Sequence, residues 1–382
     1  MEREWIATCA FGLEAIVKRE LEALGLPVVR TENGKITFRG DARACVLANL
    51  HLRTADRILL KMGEFRAEQP DDLFLAVKAM PWEDLLPEDA CFPVLASTVK
   101  SRLRSEPNNQ KTVKKAIVMR LADAYGTQRL PETGAVYTVK VSLLKDVATI
   151  TVDTSGESLH MRGYRTSPVA APLKETLAAA LVQLTFWHPD RLLIDPCCGS
   201  GTLAIEAAMI GRNIAPGISR HFAAEDWPLI PAALWKEERA AAFRAIDYDR
   251  PIEIRAFDID PAAIRAAQEN AEEAGVDDCI TFERADIADT LADPAAFPAS
   301  GILLSNPPYG ERIGDRKTVD HIFRAFRTFL EARPDWSLFL LTPDRDAEDR
   351  ILERPADRRR KLYNGRIEVC YYQFHGVRPR KD

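Results

Sequence analysis

Little in this sequence would mark it as a membrane, secreted or fibrous protein. No stretch of its 382 residues approaches the roughly 18 consecutive apolar residues needed to cross a bilayer. Its seven cysteines show no paired spacing, which fits a reducing compartment better than a disulfide framework. The N-terminal MEREWIATCAFGLEAIV has charges on both sides of a short apolar patch and lacks the layout of a signal peptide. Neither glycine (19) nor proline (24) is abundant, and there is no internal repeat. The six histidines, His51, His160, His188, His221, His321 and His375, show no metal-ligand spacing. A G-x-G-x-x-G fingerprint and a P-loop lysine are both absent. What remains is globular in character, with 46% apolar and 29% charged residues over a length suited to two or three domains. The expectation is a cytoplasmic, multidomain protein with no membrane segment and no metal.

The charge of −5 is unevenly spread. Through residue 165 there are 24 Lys+Arg and 22 Asp+Glu; beyond it there are 28 and 35. A mildly basic first part beside an acidic second part hints that only the first need face a polyanion. The densest basic cluster is Lys100, Arg102, Arg104, Lys111, Lys114, Lys115 and Arg120, readable either as a phosphate footprint or as a solvated helix face. Arg358-Arg-Arg-Lys361 is similar, or is simply an exposed turn beside the last hairpin.

Periodicity divides the chain near residue 160. Before it come short, mixed elements: a strand at 4–9, a helix stopped by Gly25, and a hairpin around Asn33-Gly34. Helices follow at 43–53, 71–79 and 109–125, with extended segments at 56–62 and 92–98. Strands at 135–143 and 148–153 close this α+β part. After a polar connection and a helix at 174–186, apolar strands alternate with helices: LLID, TLAIEAAMI, IEIRAFDID, AAIRAAQENAEEAG, ITFERAD, GILLSN, a helix near 318–332, and SLFLLT. This pattern means a parallel sheet covered on both faces, closed here by a hairpin around Asn364-Gly365. Residues 212–250 interrupt the alternation as an insertion. The predicted division is 1–160 and 161–382.

Four segments at strand ends carry the chemistry. Asp195-Pro-Cys-Cys-Gly-Ser-Gly-Thr202 follows LLID and opens a helix, a glycine turn that lets backbone approach a ligand closely. It supplies no charge for a triphosphate. Asp258, in Phe257-Asp-Ile-Asp-Pro261, ends the next strand, where a carboxylate can accept from both ribose hydroxyls. Asp260 before Pro261 is the better helix cap, and the insertion explains the 63 residues separating Asp258 from Asp195. Asp286 ends the third strand, either to accept from an adenine amino group or as a solvated loop acid. Asn306-Pro-Pro-Tyr309 ends the fourth. Its prolines fix the backbone so that the Asn306 oxygen and the Pro307 carbonyl can converge on one planar amino group, with Tyr309 offering a ring for stacking.

Together these segments resemble class I S-adenosylmethionine-dependent methyltransferases of the Asn-Pro-Pro-Tyr type, over about 165–382. The first part is similar to a ferredoxin-like domain followed by a THUMP RNA-binding domain. Its carriers are Thr8-Cys-Ala-Phe-Gly-Leu-Glu14, Leu52-Arg-Thr-Ala-Asp-Arg-Ile58, and the linker Arg162-Gly-Tyr-Arg165 leading to Ala171-Pro-Leu-Lys-Glu175. The combination resembles bacterial ribosomal RNA guanine-N2 methyltransferases, specifically the guanine-N2 half of the bifunctional large-subunit enzyme. The resemblance implies a Rossmann-like α/β domain with a terminal antiparallel hairpin. It implies S-adenosylmethionine bound at Asp195, Cys197, Gly199, Gly201, Thr202, Asp258 and Asp286, and catalysis at Asn306, Pro307, Pro308 and Tyr309 without a metal. The implied partner is 23S rRNA, with an unstacked guanine as acceptor. Alternatives are a tRNA guanine-N2 enzyme, an adenine-N6 or glutamine methyltransferase, and a non-catalytic RNA-binding assembly factor that retains the fold.

Overall fold

The computed structural model describes residues 2–127, 129–165, 173–308 and 316–377. The chain forms two compact units. The first comprises Met1–Cys9, Val17–Leu159 and Arg220–Ala241; the second comprises Ala10–Ile16, His160–Ser219 and Ala242–Asp382.

The first unit is built on one seven-stranded sheet. Its strands are β1 (Arg3–Thr8), β2 (Val28–Glu32), β3 (Lys35–Gly40), β4 (Arg57–Arg66), β5 (Val94–Val99), β6 (Val139–Leu144) and β7 (Val147–Asp153), in the order β2-β3-β1-β4-β7-β6-β5. Only β5 and β6 run parallel. The ten-residue β4 pairs with β1 through Trp5↔Leu60 and with β7 through Leu59↔Asp153, so two small α+β modules share one ladder. Helices α1 (Glu14–Ala23), α2 (Ala42–His51), α3 (Pro70–Lys78) and α4 (Glu106–Tyr125) accompany the strands. Gly34 sits at φ +73 in the Asn-Gly turn of β2–β3, as a tight hairpin requires. Helix α4 begins three residues earlier than periodicity indicates, because Ser105 accepts from the Asn108 N–H and caps it. The strand expected over 135–143 begins only at Val139. The Val136 carbonyl instead accepts from the indole N–H of Trp227, at 3.0 Å, and leaves the ladder apart from a single bridge to Cys91.

That indole belongs to the middle of the insertion. Trp227 stacks on Tyr137 with ring centres 4.5 Å apart, Phe222 stacks on Trp235, and Glu238 accepts from Arg43 at 2.6 Å. Arg220–Ala241 thus completes the core of the first unit, while the ends of the 212–250 stretch lie in the second.

The second unit holds a sheet of β8 (Leu193–Asp195), β9 (Ile254–Asp258), β10 (Ile280–Arg284), β11 (Ile302–Ser305), β12 (Ser337–Thr342), β13 (Arg358–Asn364) and β14 (Ile367–Phe374), in the order β10-β9-β8-β11-β12-β14-β13. The first five run parallel; β14 is antiparallel to β12 and pairs with β13 through the Asn364-Gly365 hairpin. Helices α5 (Glu175–Leu184), α6 (Thr202–Gly211), α7 (Ala232–Arg244), α8 (Pro261–Glu273), α9 (Ile287–Thr290), α10 (Arg316–Ala332) and α11 (Ala347–Ile351) complete the order, although most of α7 belongs to the first unit. Strands β8, β11 and β12 are buried throughout, the signature of a sheet covered on both faces. Phe326, Phe329, Trp336 and Leu338 are among the residues that fill the core between α10 and the sheet. No described helix is long and apolar enough to cross a membrane.

Truncating Trp227 to Ala deletes both the stack on Tyr137 and the bond to the Val136 carbonyl. Unfolding of the first unit in urea is expected to become easier by about 3–5 kcal/mol, as for other buried Trp→Ala changes, with the second unit's transition unmoved.

Candidate active site

Strand order reverses at β8: β9 leaves on one side and β11 on the other, so the connections diverge and open a crevice at the carboxyl edge. The register places Leu193 beside Ile254 and Ile302. Strand β8 therefore ends level with Ala256, two residues before β9 ends at Asp258, and one residue before β11 ends at Ser305. The turn after Asp195 and the segment beginning at Asn306 emerge from neighbouring strands at one edge.

The glycine turn is held from several directions. The Cys198 N–H donates to the Phe257 carbonyl at 2.8 Å, and the Gly199 N–H donates to Asp258 Oδ2 at 2.9 Å. Asn270, buried on α8, donates from its amide to the Ser200 carbonyl at 3.1 Å. Gly199 and Gly201 both have left-handed backbones, at φ +54 and +79. A Cβ on Gly201 would lie 3.0 Å from the Cβ of Ala267, so glycine is needed there for the packing of α6 on α8 as well as for the turn. Gly201 is the cap residue of α6, and the Thr202 hydroxyl accepts from Arg165 at 3.1 Å. Arg165 also meets Glu175 at 3.0 Å, and the buried Arg162 and Tyr164 converge on Glu206.

Asp195 lies at the centre of the edge. It is buried, its Oδ1 accepts a single 3.3 Å bond from the Cys197 N–H, and its Oδ2 has no partner among the described residues. Burial pushes its pKa up to about 8; the Cys197 bond opposes this, and the neighbouring Asp258 adds to it. Burial and the same carboxylates push the Cys197 and Cys198 thiols up, so neither is a thiolate nucleophile near neutral pH. Asp258 Oδ1 accepts from the Asp260 N–H at 2.9 Å, while Asp260 accepts from Ala262 and caps α8. The two neighbouring acids thus divide as expected for the cap. Asp286 caps α9 through Ala288 and also meets His321 Nε2 at 2.7 Å, both on Oδ1. Burial would raise this carboxyl, but the bonds from His321 and Ala288 outweigh it and hold it below the usual range. His321 was not visible as a site residue: it is 35 residues from Asp286 in sequence, and only the packing of α10 brings it there.

The oxygen Oδ1 of Asn306 and the hydroxyl of Ser305 are buried with no partner among the described residues. Pro307 is buried and Pro308 partly so; Tyr309, with Gly310-Glu311-Arg312, lies outside the described residues. An unpaired buried acceptor costs about 1–3 kcal/mol, and here two, Asp195 Oδ2 and Asn306 Oδ1, occur at the ends of adjacent strands. The site thus offers carboxylates and carbonyls. Such a set suits hydroxyl and amino donors and a cationic group, and rejects a polyphosphate. No cluster of three or more metal-ligating side chains occurs among the described residues.

Fold and edge together define a nucleoside-cofactor-dependent α/β enzyme. Residues 162–373 match the RMKL-like methyltransferase domain, 4–59 the RlmL ferredoxin-like domain and 67–153 the THUMP domain. The chain is 46% identical over 379 residues to "Putative RNA methyltransferase YpsC" of Bacillus subtilis (strain 168), covering 98% of this chain and 97% of that protein. Among solved structures it is similar to a "predicted N6-adenine-specific DNA methylase" from Listeria monocytogenes str. 4b F2365, with 46% identity, a TM-score of 0.92, and 99% and 97% coverage. It is also similar to SMU.472, crystallised with S-adenosylhomocysteine, at 43% identity, a TM-score of 0.92 and 99% of both chains. The chain belongs to the RMKL-like methyltransferase family, and its methyl donor is S-adenosylmethionine. The residues present fit that group, since its ribose hydroxyls, amino groups and sulfonium are the donors and cation that the edge lacks.

An unfolded aspartate ionises near 4, whereas Asp195 in the folded protein keeps its proton up to about 8. The folded state binds more protons across that window, so stability of the ligand-free protein falls as pH rises through it. Asp195→Asn should remove this slope. In thermal melts from pH 4 to 9 its Tm is expected to meet the parent's at the acid end and exceed it by several degrees at pH 8.

Proposed function

We propose that the protein methylates RNA at the exocyclic N2 of a guanine in 23S rRNA. The THUMP and RlmL ferredoxin-like matches and the RNA methyltransferase relative support RNA as the substrate class. The observation that carries the acceptor chemistry is the buried, unpaired Oδ1 of Asn306 beside Pro307. An amino group in the plane of a base presents two hydrogens, and its lone pair is delocalised into the ring. In this reading Asn306 Oδ1 and the Pro307 carbonyl each accept one of those hydrogens and turn the lone pair out of the plane.

Bound S-adenosylmethionine supplies a methyl carbon activated by a positive sulfur. Transfer of that methyl to the nitrogen would leave S-adenosylhomocysteine, with Asn306 and the Pro307 carbonyl holding the nitrogen in place until its extra proton passes to solvent. No strong base precedes the transfer, so positioning and electrostatics do most of the work. In the same reading Asp258 accepts from the ribose hydroxyls and Asp286 faces the adenine amino group. Thr202 serves indirectly, since its hydroxyl already accepts from Arg165. Tyr309 is assigned to stack on the acceptor base.

The naming of the Listeria relative as an N6-adenine methylase favours a second acceptor, because Asn306 would accept equally from an adenine amino group. Mass-spectrometric nucleoside mapping of ribosomal and transfer RNA, with and without the gene, separates the readings. Loss of one N2-methylguanosine from 23S rRNA is expected; its loss from tRNA, or loss of N6-methyladenosine, would redirect the assignment.

Asn306→Ala should lower transfer by about 10²–10³-fold, the range for losing one positioned hydrogen-bonding group, with cofactor affinity by calorimetry nearly unchanged. Asp258→Ala should do the reverse, weakening the cofactor by roughly 10–100-fold, as expected for hydrogen bonds to a charged group.

A further inference from the structure

The basic run Arg358–Lys361 finds no place in the chemistry above. It lies on β13, the outermost strand, where Arg358 pairs with Gln373 of β14, itself opposite Phe339 near the start of β12. Phe339 is level with Leu304 of β11, so Arg358 stands near the level of Asp195 but four strands away across the sheet, and the run climbs from there towards the carboxyl end of β12. A cleft of about 260 Å³ opens there, lined by Leu184, Phe186, Arg358, Arg359, Arg360 and Gln373.

Two features set this cleft apart. The first is charge against an acidic background: beyond residue 165 acids outnumber Lys+Arg by 35 to 28, yet four consecutive cations stand here. Arg358 has no carboxylate within ion-pair distance among the described residues. Arg359 is 64% exposed and meets only Glu348, at 3.4 Å, and Arg360 donates to the Gly12 carbonyl at 2.9 Å. Cations on an edge strand discourage edge-to-edge pairing, so charge alone has a structural explanation. The second feature does not. Phe186 follows the end of α5 at φ +57, the left-handed position where glycine is favoured, and its ring is 61% exposed. A strained backbone and an apolar ring in water both work against folding, and neither protects an edge. The ring stands 6.2 Å from that of His375, whose pKa is lowered by burial and by Arg358, though Asp357 opposes the shift.

We infer that this cleft is a second RNA-contact site, in which Arg358 and Arg359 hold phosphates of a single-stranded segment while Phe186 stacks on one of its bases. Cations tracking a backbone beside an exposed aromatic ring are the elements of sequence-tolerant single-strand binding. The cleft would retain a long substrate at the outer strand, four strands from Asp195, and leave the reacting base free. The inference rests on RNA being the substrate.

The test uses the full chain with an end-labelled single-stranded RNA of about 20 nucleotides, long enough to reach from the outer strand to the site. Binding is followed by fluorescence anisotropy over a range of salt concentrations. Each lost phosphate contact lowers the salt slope by about 0.7 for single strands. The double variant Arg358→Gln/Arg359→Gln should thus flatten it by about 1.4. Phe186→Leu should weaken binding roughly tenfold with the slope unchanged. Both should raise KM for RNA without lowering kcat, and S-adenosylhomocysteine affinity, unchanged in both, shows that the fold is intact. If both variants bind RNA like the parent, the cleft proposal falls and the methyltransferase reading stands. If the parent neither binds nor methylates RNA, both fall. If the double variant loses only its retention on immobilised polyglutamate, with RNA binding unchanged, the patch serves an acidic protein and the proposal is overturned.

Discussion

Everything at the candidate site depends on the hydrogen bond from the Gly199 N–H to the Asp258 carboxylate, made where the sheet changes direction. A parallel sheet whose connections run to both sides of a central strand must leave a crevice there. A crevice becomes a site only when the loops above it are held still. Asp258 does this by accepting from the turn above β8 with one oxygen and from its own following loop with the other. Asn270 seizes the same turn from behind through the Ser200 carbonyl. The bonds from Gly199 to Asp258 and from Asn270 to Ser200 cross between segments far apart in sequence, so the turn keeps its shape only if β8, β9 and α8 are already packed.

Around that fixed turn the protein accepts electrostatic costs that it could have avoided. Asp195 is buried beside another carboxylate, and Asn306 keeps a buried oxygen unpaired. Such groups are costly in isolation and become useful when a ligand supplies the missing donors or positive charge. A contrasting solution appears one turn into α6, where Glu206 is fully buried but meets Arg162 and Tyr164. The pairing of Glu206 beside the unpaired oxygens of Asp195 and Asn306 separates scaffold from site.

The basic residues show how folding sorts what sequence merely assembles. Of the cluster between Lys100 and Arg120, Lys114 binds Glu132 and the Phe92 carbonyl, Arg120 pairs with Glu83, and Arg102 pairs with Glu68. Lys100 and Arg104 line a cleft of about 500 Å³ together with Arg102. Counting charges along the chain could not distinguish these fates, because the neutralising acids come from α3's flank, the loop after α4 and the short turn at Trp82–Asp84.

Much of the architecture could be read directly. Period-two and period-3.6 patterns are local consequences of burial, so the alternating strands and helices, both Asn-Gly hairpins and the capping role of Asp260 were legible from neighbouring residues. The glycine turn was legible too, because left-handed backbone leaves few other choices. Long-range choices were not. Val136 abandons its ladder for Trp227, 91 residues away, and the insertion's middle joins the core of the first unit. His321 reaches Asp286 only through the placing of α10. The sequence by itself determined which segments would be strands, helices and tight turns, since these follow from backbone conformation and the spacing of apolar residues. Only the tertiary structure decided which polar atoms found partners and which were left waiting, because that depends on what the rest of the chain brings within three ångströms.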